Sequence, residues 1–290
     1  MRVCISGANG FIGQHVVKAL AMVGHDVIPL DVRFDLSWDG AERIVADITQ
    51  PLAPIPGLDA VIHLAALSHP RQCDADPAKA YAVNVAGTSN VLKMALESGA
   101  KKVVFSSSAH VYDIPPKYMP SDEVHPLRLN NTYTTTKILG EQLCELYYAN
   151  HGLSYTILRL YNAYGPGQAA GYFIPDMISK QGDIDLGPGG HTTKDWVWVE
   201  DLARAFVLAA ETPFVGAINI GTGIETPLHQ IAGRIAAEKG FICKVAANEN
   251  FTRMQADPTR AKRVLGWEPT VTLEEGLNRV LAASKTAVPA

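Results

Sequence analysis

Tyr133 and Lys137 stand four positions apart in a stretch whose pattern predicts a helix over 132–150. Side chains at i and i+4 project from one face of a helix, so we expect the phenol and the ammonium to meet. A free tyrosine has a pKa of about 10, and a neighbouring positive charge lowers it by favouring the phenolate. Tyr133 could then act as a general base. A helix with a buried tyrosine and an exposed lysine shows the same pattern, so the pair needs support from elsewhere.

That support comes from three serines at the end of a predicted strand. Ser106, Ser107 and Ser108 follow the apolar run that begins at 102. Ligands of a parallel sheet collect at the carboxyl ends of its strands. We therefore expect Ser108 to hydrogen-bond the substrate oxygen from which Tyr133 removes a proton, although serines after a strand also serve as simple turn residues. The predicted catalytic residues are Ser108, Tyr133 and Lys137.

Glycines recur at positions 7, 10 and 13, directly after the first predicted strand and at the start of a helix. They permit a tight turn, close approach of the backbone to a pyrophosphate and close helix–sheet packing, while the free amides of the helix N-terminus face the phosphate charge. The spacing is GxxGxxG rather than the more general GxGxxG, and a plain strand–helix turn is the alternative. The predicted cofactor-binding residues of this turn are Gly7, Asn9, Gly10, Phe11, Ile12 and Gly13.

A carboxylate at the end of the second predicted strand distinguishes between two dinucleotides. Asp31 can accept hydrogen bonds from the adenosine ribose hydroxyls and would repel a 2′-phosphate, which favours NAD over NADP. Arg33 lies close by and could stack on adenine, hold a 2′-phosphate or remain solvated. We predict NAD as the cofactor.

These residues depend on an alternation of strands and helices. Such alternation predicts right-handed crossovers and a parallel sheet with helices on both faces. The fold class is therefore α/β, a Rossmann doubly wound parallel sheet with a smaller C-terminal substrate lobe. The predicted strands are 3–5, 26–30, 43–46, 60–64, 102–105, 155–160 and 217–220, and the predicted helices are 11–22, 77–98, 132–150, 201–211, 228–238 and 273–283.

The alternation weakens after Gly165, and the glycine-rich stretch 182–190 predicts a loop and hairpin. The helix over 201–211 and the strand over 217–220 look like returns to the main sheet. We predict an NAD-binding Rossmann domain at 1–165 and a substrate-binding lobe at 166–290, with some segments returning to the main sheet.

Composition excludes several classes of protein. Of the 290 residues, 47% are hydrophobic and 19% charged, so a large core can form. A formal net charge of −4 argues against a nucleic-acid partner. The four cysteines form no CxxC pair, which argues against a disulfide scaffold or a zinc site and fits a reduced compartment. With no long apolar run and no signal region, we expect a cytoplasmic protein that holds no metal and crosses no membrane.

Further motifs make the chain resemble the extended short-chain dehydrogenase/reductases, and within them the NAD-dependent nucleotide-sugar epimerase/dehydratase family. These motifs lie at Ala46-Asp47-Ile48, His63-Leu64-Ala65-Ala66, Asn84-Val85-Ala86-Gly87-Thr88, 106–112, 159–166, 195–203 and 256–267. The resemblance implies that Asp47 holds the adenine amine, that Asn84 supports the elements around the active site and that Tyr161 contacts the cofactor. Besides the glycine turn, Asp31 and Arg33, the implied cofactor-binding residues are Asp47, Ile48, Leu64, Ala65, Ala66, Asn84, Ser106, Tyr133, Lys137 and Tyr161.

Departures from the family pattern bear on the reaction. The family's 4,6-dehydratases carry an Asp–Glu pair directly after the catalytic hydroxyl, where this chain has Ala109 and His110, which argues against dehydration. A retained NAD implies a redox-neutral cycle that inverts C4 of a UDP-glucose or UDP-galactose type of sugar through a 4-keto form. The alternative is an NAD(P)-dependent reductase or 4-dehydrogenase of a 4-keto-6-deoxy nucleotide sugar. A non-catalytic dinucleotide sensor is the third hypothesis.

The family resemblance also implies where the nucleotide sugar binds. Asn162 would contact the diphosphate, and Lys194 occupies the position of a diphosphate-binding arginine, so UDP, GDP and dTDP all remain open. Arg253 is the nearest candidate for a second cation, while Phe173 could stack on the base or simply pack in the lobe. The implied substrate-binding residues are Ser108, His110, Tyr133, Asn162, Phe173, Lys194 and Arg253.

The family usually forms a homodimer through the helices predicted over 77–98 and 132–150. Apolar residues on these helices allow such pairing, although an intramolecular core would use the same side chains. They are Val83, Val91, Leu92, Leu139, Leu143 and Tyr147.

Overall fold

Short runs of branched and other apolar residues form the strands. The computed structural model describes residues 1–34 and 42–286. The strands of this part of the chain are β1 (Arg2–Ser6), β2 (Asp26–Asp31), β3 (Ile44–Val45), β4 (Ala60–His63), β5 (Lys102–Ser108), β6 (Ser154–Leu160), β7 (Asn162–Tyr164), β8 (Ile184–Asp185), β9 (Thr193–Trp198), β10 (Gly216–Ile220), β11 (Glu225–Pro227) and β12 (Cys243–Lys244). Seven of them pair in parallel in the order β10-β6-β5-β4-β1-β2-β3.

Helices cover both faces of this sheet. They are α1 (Phe11–Met22), α2 (Pro70–Ala75), α3 (Pro77–Tyr81), α4 (Gly87–Glu97), α5 (Thr132–His151), α6 (Phe173–Ser179), α7 (Val199–Glu211), α8 (Leu228–Glu238), α9 (Thr259–Leu265) and α10 (Leu273–Thr286). Leu20 of α1 and Phe206 of α7 are buried in one apolar cluster, while Leu92 of α4 and Cys144 of α5 are buried in another. The predicted Rossmann, doubly wound α/β fold is confirmed.

The helix predicted over 77–98 is interrupted. Between α3 and α4 the chain makes a π-helical turn over Ala82–Ala86. Asn84 lies in this turn with its side chain buried, and its carbonyl oxygen accepts a hydrogen bond from the Thr88 hydroxyl at 2.6 Å. A π turn inserts one extra residue and so turns a side chain inwards that a regular helix would place elsewhere. Periodicity alone could not reveal it.

The hairpin expected in 182–190 is absent from the described chain. β8 pairs in parallel with β12, a strand from much later in the chain, and Gly187–His191 forms a 3₁₀ turn. A second small sheet has the order β11-β9-β7. The prediction of a hairpin was wrong because glycine-rich segments mark turns without identifying the strand that they pair with.

Two segments from the second half of the chain join the main sheet. β10 extends it beyond β6, and α7 packs in the same apolar cluster as α1. A division of the chain at 165 stays a prediction. No helix in the described part of the chain is long and apolar enough to cross a membrane.

The residues expected at a dimer interface are largely used within the monomer. Val91 and Leu92 are fully buried in the core, and Val83, Leu143 and Tyr147 pack against the same cluster. The homodimer therefore stays a prediction.

Candidate active site

Tyr133 and Lys137 lie on the first turns of α5, buried against the carboxyl end of β5. The Lys137 ammonium donates a hydrogen bond to the carbonyl oxygen of Ser106 at 2.7 Å and lies 5.9 Å from the centre of the Tyr133 ring. The Ser108 hydroxyl and the Tyr133 phenol line the same cavity, and hydrogen bonding by Ser108 lowers the pKa of Tyr133. The structure therefore brings together all three predicted catalytic residues.

A glycine allows α5 to lie this close to the sheet. A Cβ at Gly140 would lie 2.4 Å from Cζ of Phe105, which is closer than two carbon atoms can approach. At the N-terminus of the helix, the Asn131 side chain accepts a hydrogen bond from the amide of Thr134 at 2.8 Å. The cap fixes where the helix begins, and so fixes the height of Tyr133 above the strand ends.

Burial dominates the electrostatics of the catalytic pair. It raises the pKa of Tyr133 to about 12, which the hydrogen bond with Ser108 only partly opposes. It lowers the pKa of Lys137 to about 8, an effect that the Glu141 carboxylate opposes. Lys137 alone therefore does not bring Tyr133 into the range of a base, because excluding water penalises the phenolate and the ammonium alike. A lowering of the pKa of Tyr133 by Lys137 together with the positive nicotinamide of NAD stays a prediction.

A neutral histidine holds the loop that follows β4. The hydroxyl of Thr88 donates to the Asn84 carbonyl, so His63 Nε2, 2.9 Å away, must be the donor to that hydroxyl. His63 Nδ1 then accepts from the Ser6 hydroxyl at 2.6 Å. Burial, together with the charge of Lys137, lowers the pKa of His63 to about 3. These bonds tie β4 to β1 and to α4, which fixes the path of residues 64–66.

The glycine turn forms the crowded crossing that its spacing predicts. Gly7 has φ +78°, and a Cβ there would lie 2.5 Å from the amide nitrogen of Ala65. A Cβ at Gly13 would lie 2.1 Å from the Gly7 carbonyl oxygen. At Gly10, the N-cap of α1, no side chain caps the helix, so its first amides are left for an anion.

One cavity of about 640 Å³ lies on the far side of this turn. The Asp31 carboxylate at its wall accepts hydrogen bonds from the amides of Asn9 at 2.9 Å and Val32 at 2.7 Å. Each of its oxygens keeps a second acceptor site for a ribose hydroxyl. The predicted residues that line this cavity are Asn9, Gly10, Asp31, Arg33, Asp47, Ile48, Ala65 and Ala66. A carboxylate placed beside a tight glycine turn fits the adenosine half of NAD.

A second cavity, of about 570 Å³, opens on the catalytic side and shares Gly10 and Ala66 with the first. The predicted residues along its wall are Gly7, Gly10, Phe11, Ile12, Gly13, Leu64, Ala66, Ser106, Ser108, His110, Tyr133, Lys137, Tyr161, Asn162, Phe173 and Lys194. The two cavities are therefore neighbours, separated by the glycine turn and the loop at Ala66.

Two predicted residues lie outside both cavities. Asn84 is buried behind the wall, where its amide donates to the Leu67 carbonyl and to the Thr136 hydroxyl, both at 3.0 Å. It supports the loop and the helix, and its contact with the cofactor stays a prediction. Arg253 is half exposed, and its guanidinium pairs with both carboxylate oxygens of Glu225. That acid neutralises the cation expected for a diphosphate.

Lys194 is a cation on the wall of the catalytic cavity. It is partly buried, and its ammonium lies 2.9 Å from the Met254 sulfur, a weak acceptor. Burial lowers the pKa of Lys194 to about 8; burial and the charge of Lys194 together lower the pKa of His110 to about 4. No carboxylate lines the cavity in the described part of the chain. This wall therefore favours an anionic ligand.

Sequence reasoning missed the aromatic wall opposite the catalytic residues. The Tyr172 hydroxyl lies 2.9 Å from the Ser68 hydroxyl, and His69 Nε2 donates to the Gly171 carbonyl at 3.2 Å. These bonds link the loop after β4 with the loop before α6. Trp196 completes the wall beside Phe173. No spacing in the sequence marks them, since the two loops meet only in the fold.

Comparison with known proteins places the chain in a family. A sequence model described as the NAD dependent epimerase/dehydratase family matches residues 3–221. The chain is 32% identical over 311 residues to a UDP-glucose 4-epimerase of Mycolicibacterium smegmatis, covering 97% of each. It is 29% identical over 305 residues to UDP-glucuronic acid decarboxylase 1 of Xenopus tropicalis, covering 97% of this chain and 71% of the relative.

The fold agrees with that assignment. The crystal structure of a UDP-glucose 4-epimerase from Thermotoga maritima with UDP-glucose superposes with a TM-score of 0.88 at 28% sequence identity and covers 100% of both chains. Two neighbouring cavities flank the glycine turn that this family uses for its cofactor. The chain belongs to the NAD-dependent epimerase/dehydratase family of enzymes, and its cofactor is NAD.

Proposed function

We propose that the protein interconverts the C4 epimers of a nucleotide-diphosphate hexose of the UDP-glucose/UDP-galactose type. The observation that carries this proposal is the meeting of Ser108, Tyr133 and Lys137 in a cavity whose described wall has lysines and histidines but no carboxylate. That set can move a proton on and off one sugar hydroxyl, and it offers no acid to expel a neighbouring hydroxyl as water.

Each catalytic side chain has a distinct task. The Tyr133 phenolic oxygen takes the proton of the C4 hydroxyl and later returns it. The Ser108 hydroxyl holds the C4 oxygen in reach, and Lys137, fixed by the Ser106 carbonyl, supplies positive charge beside the phenol. Bound NAD supplies a reversible oxidant for C4. Because the product is as oxidised as the substrate, the cycle consumes no reductant.

The two parts of the chain would divide the ligands between them. The described residues that line the Asp31 cavity come from before 165, and this cavity would bind the adenosine half of NAD. Phe173, Lys194 and Met254 enter the catalytic cavity from beyond 165 and would hold the nucleotide sugar. With Arg253 paired to Glu225, Lys194 is the side-chain cation left for the diphosphate.

Turnover without added cofactor tests the proposal. The purified protein should carry NAD and convert UDP-galactose into UDP-glucose with no change in absorbance of the reduced nicotinamide. GDP- and dTDP-hexoses in the same assay identify the nucleotide. A reaction that stops unless NAD(P)H or NAD(P) is supplied in stoichiometric amount would favour the alternative, a reductase or 4-dehydrogenase of 4-keto-6-deoxy sugars.

UDP-glucuronic acid belongs in the panel because a decarboxylase of that sugar is among the relatives. Oxidation at C4 of a uronic acid leaves its carboxylate β to a ketone, and such acids lose carbon dioxide readily. Release of carbon dioxide would redirect the proposal to decarboxylation, while recovery of the C4 epimer with its carboxylate would extend it to uronic acids. A cytoplasmic location and a homodimer are part of the proposal and await fractionation and light scattering.

A further inference from the structure

A buried acid and a buried arginine form a bidentate pair beneath the catalytic residues. Arg159 on β6 donates from Nε to one carboxylate oxygen of Glu141 at 3.0 Å and from Nη2 to the other at 2.7 Å. Glu141 is 3% and Arg159 is 6% exposed, and neither lines the cavities described above. Taking two charges out of water is costly, so such a pair calls for a role beyond simple stability.

The pair is fastened to the strand that carries the active-site serines. The hydroxyl of Ser107 donates to the same carboxylate oxygen of Glu141 that Arg159 Nε contacts. On either side of Ser107, the carbonyl of Ser106 holds Lys137 and the hydroxyl of Ser108 meets Tyr133. One hydrogen bond therefore fixes the residue that lies between the two catalytic contacts.

We call Glu141, Arg159 and Ser107 the clamp. On the helix side, Glu141 belongs to the same helix as the catalytic residues. Tyr133, Lys137 and Glu141 follow one another at intervals of four along α5, so they lie along one stripe of the helix. We propose that Glu141 is a positioning residue, which through Ser107 and Arg159 locks β5 onto α5 in the register that sets Ser108 and the Ser106 carbonyl opposite Tyr133 and Lys137. The catalytic roles in this inference rest on the proposed function.

Further hydrogen bonds anchor the clamp to the sheet. Arg159 Nη1 donates to the Tyr112 hydroxyl at 3.2 Å and to the Glu123 carbonyl at 3.0 Å. The Tyr112 hydroxyl in turn donates to the Asn219 side chain on β10. A buried network whose members satisfy one another is rigid, and its energy falls sharply when one member is lost.

Glu141 also acts on Lys137 through its charge. The groups that face the Lys137 ammonium are Tyr133 and Glu141 on α5, Cys73 on α2, His63 on β4 and the Phe105 ring on β5. Burial lowers the pKa of Lys137 to about 8, and the Glu141 carboxylate raises it. Removal of that carboxylate should therefore make Lys137 lose its proton at a lower pH.

Glu141→Gln tests the clamp, with Glu145→Gln, an exposed position one turn further along α5, as its matched control. We expect kcat of Glu141→Gln to fall at least about tenfold, with KM changed less than about twofold, because misplaced catalytic groups slow the chemical step. The alkaline limb of the pH profile should move to lower pH. Glu145→Gln should match the wild type in both respects.

Glu141→Gln leaves the Arg159 charge without its partner, which can destabilise the fold. Ser107→Ala therefore serves to separate a loss of positioning from a loss of folding. Ser107→Ala keeps the ion pair and removes only the contact with the strand, so kcat should fall in the same direction by a smaller factor. Wild-type kcat and pH profile in either variant, per mole of folded protein with NAD bound, would overturn the inference.

A readout without turnover separates this inference from the proposed function. Competitive acetylation followed by mass spectrometry gives the pH at which Lys137 becomes reactive, whichever sugar the enzyme uses. A shift to lower pH in Glu141→Gln and not in Glu145→Gln supports the clamp, and an unshifted profile contradicts it. A wild-type protein that epimerises no nucleotide sugar would overturn only the function.

Discussion

The ammonium of Lys137 is held 2.7 Å from the carbonyl oxygen of Ser106, so the cation of the catalytic pair is fixed to the strand that bears Ser108. This hydrogen bond links α5 to β5, so the β5 backbone fixes the position of the positive charge beside Tyr133. Because burial lowers the pKa of Lys137 to about 8, as it does that of Lys194, this charge is sensitive to pH in the alkaline range.

That sensitivity predicts an alkaline limb in the pH profile. Lys137 is charged below its pKa and neutral above it, so kcat/KM should decline as pH rises through about 8. Lys194, whose pKa is also lowered to about 8, would add to this limb, so the limb should shrink in Lys137→Arg and disappear in Lys137→Arg/Lys194→Arg, where both guanidinium groups stay charged. Initial rates from pH 6 to 10 at low substrate concentration check this; a wild-type profile that stays flat to pH 10 would exclude Lys137 as the titrating group.

Lys194 should control affinity for the diphosphate. Loss of a hydrogen bond to a charged group costs about 2 kcal/mol, so Lys194→Met should weaken nucleotide-diphosphate binding roughly thirtyfold. Lys194→Arg should keep most of it, since the charge remains. Lys101→Met, at an exposed lysine before β5, is the control. Calorimetric titration with UDP measures all three, and equal affinities in Lys194→Met and wild type would show that the diphosphate lies elsewhere.

Asp31 should set the preference for NAD. Asp31→Ser removes acceptors for the ribose hydroxyls and the charge that repels a 2′-phosphate, so NAD binding should weaken about tenfold while NADP binding improves. Asp26→Asn, at the exposed start of the same strand, should alter neither. Fluorescence titration of apoprotein with NADH and NADPH gives both constants. An unchanged ratio of the two would contradict the role of Asp31.

The approach of α5 to β5 should tolerate no extra atom at Gly140. Its added Cβ would lie 2.4 Å from Phe105, so Gly140→Ala should lower the free energy of unfolding by about 1–3 kcal/mol and impair turnover. The matched variant is Gly233→Ala on α8, where the nearest atom to an added Cβ is 3.9 Å away. There, the higher helix propensity of alanine should stabilise by about 0.5–1 kcal/mol. Urea unfolding compares them, and equal midpoints would argue against tight packing at Gly140.

Local rules predicted the parts of this site that depend on single elements. The i, i+4 spacing of Tyr133 and Lys137, the glycine turn and Asp31 at a strand end each carry their geometry in the sequence. They did not anticipate contacts between distant segments, although binding of a diphosphate by Arg253 stays a prediction. Arg253 is captured by Glu225, and Tyr172 bonds to Ser68 across two loops. The same limit explains the pKa of Tyr133, since burial depends on everything packed around the phenol.

The fold was likewise predictable where it depends on residues near one another in the sequence, and not where distant segments meet. Alternating strands and helices predicted the parallel sheet, because each βαβ unit is local in sequence. The π turn at Asn84 and the pairing of β8 with β12 were missed because each involves a contact far away in the sequence. Asn84 in the π turn hydrogen-bonds Thr136, and β8 pairs with a strand about 60 residues later.

Comparison of Tyr133→Phe with the wild type tests the central claim most directly. Both proteins, purified with NAD bound, are given UDP-galactose without added cofactor, and UDP-glucose is measured over time. Loss of the phenolic hydroxyl should reduce kcat by about a hundredfold or more while leaving bound NAD in place, and Tyr148→Phe, exposed on the same helix, should retain wild-type turnover. Equal rates in Tyr133→Phe and wild type would contradict the assignment of Tyr133 as the group that moves the C4 proton.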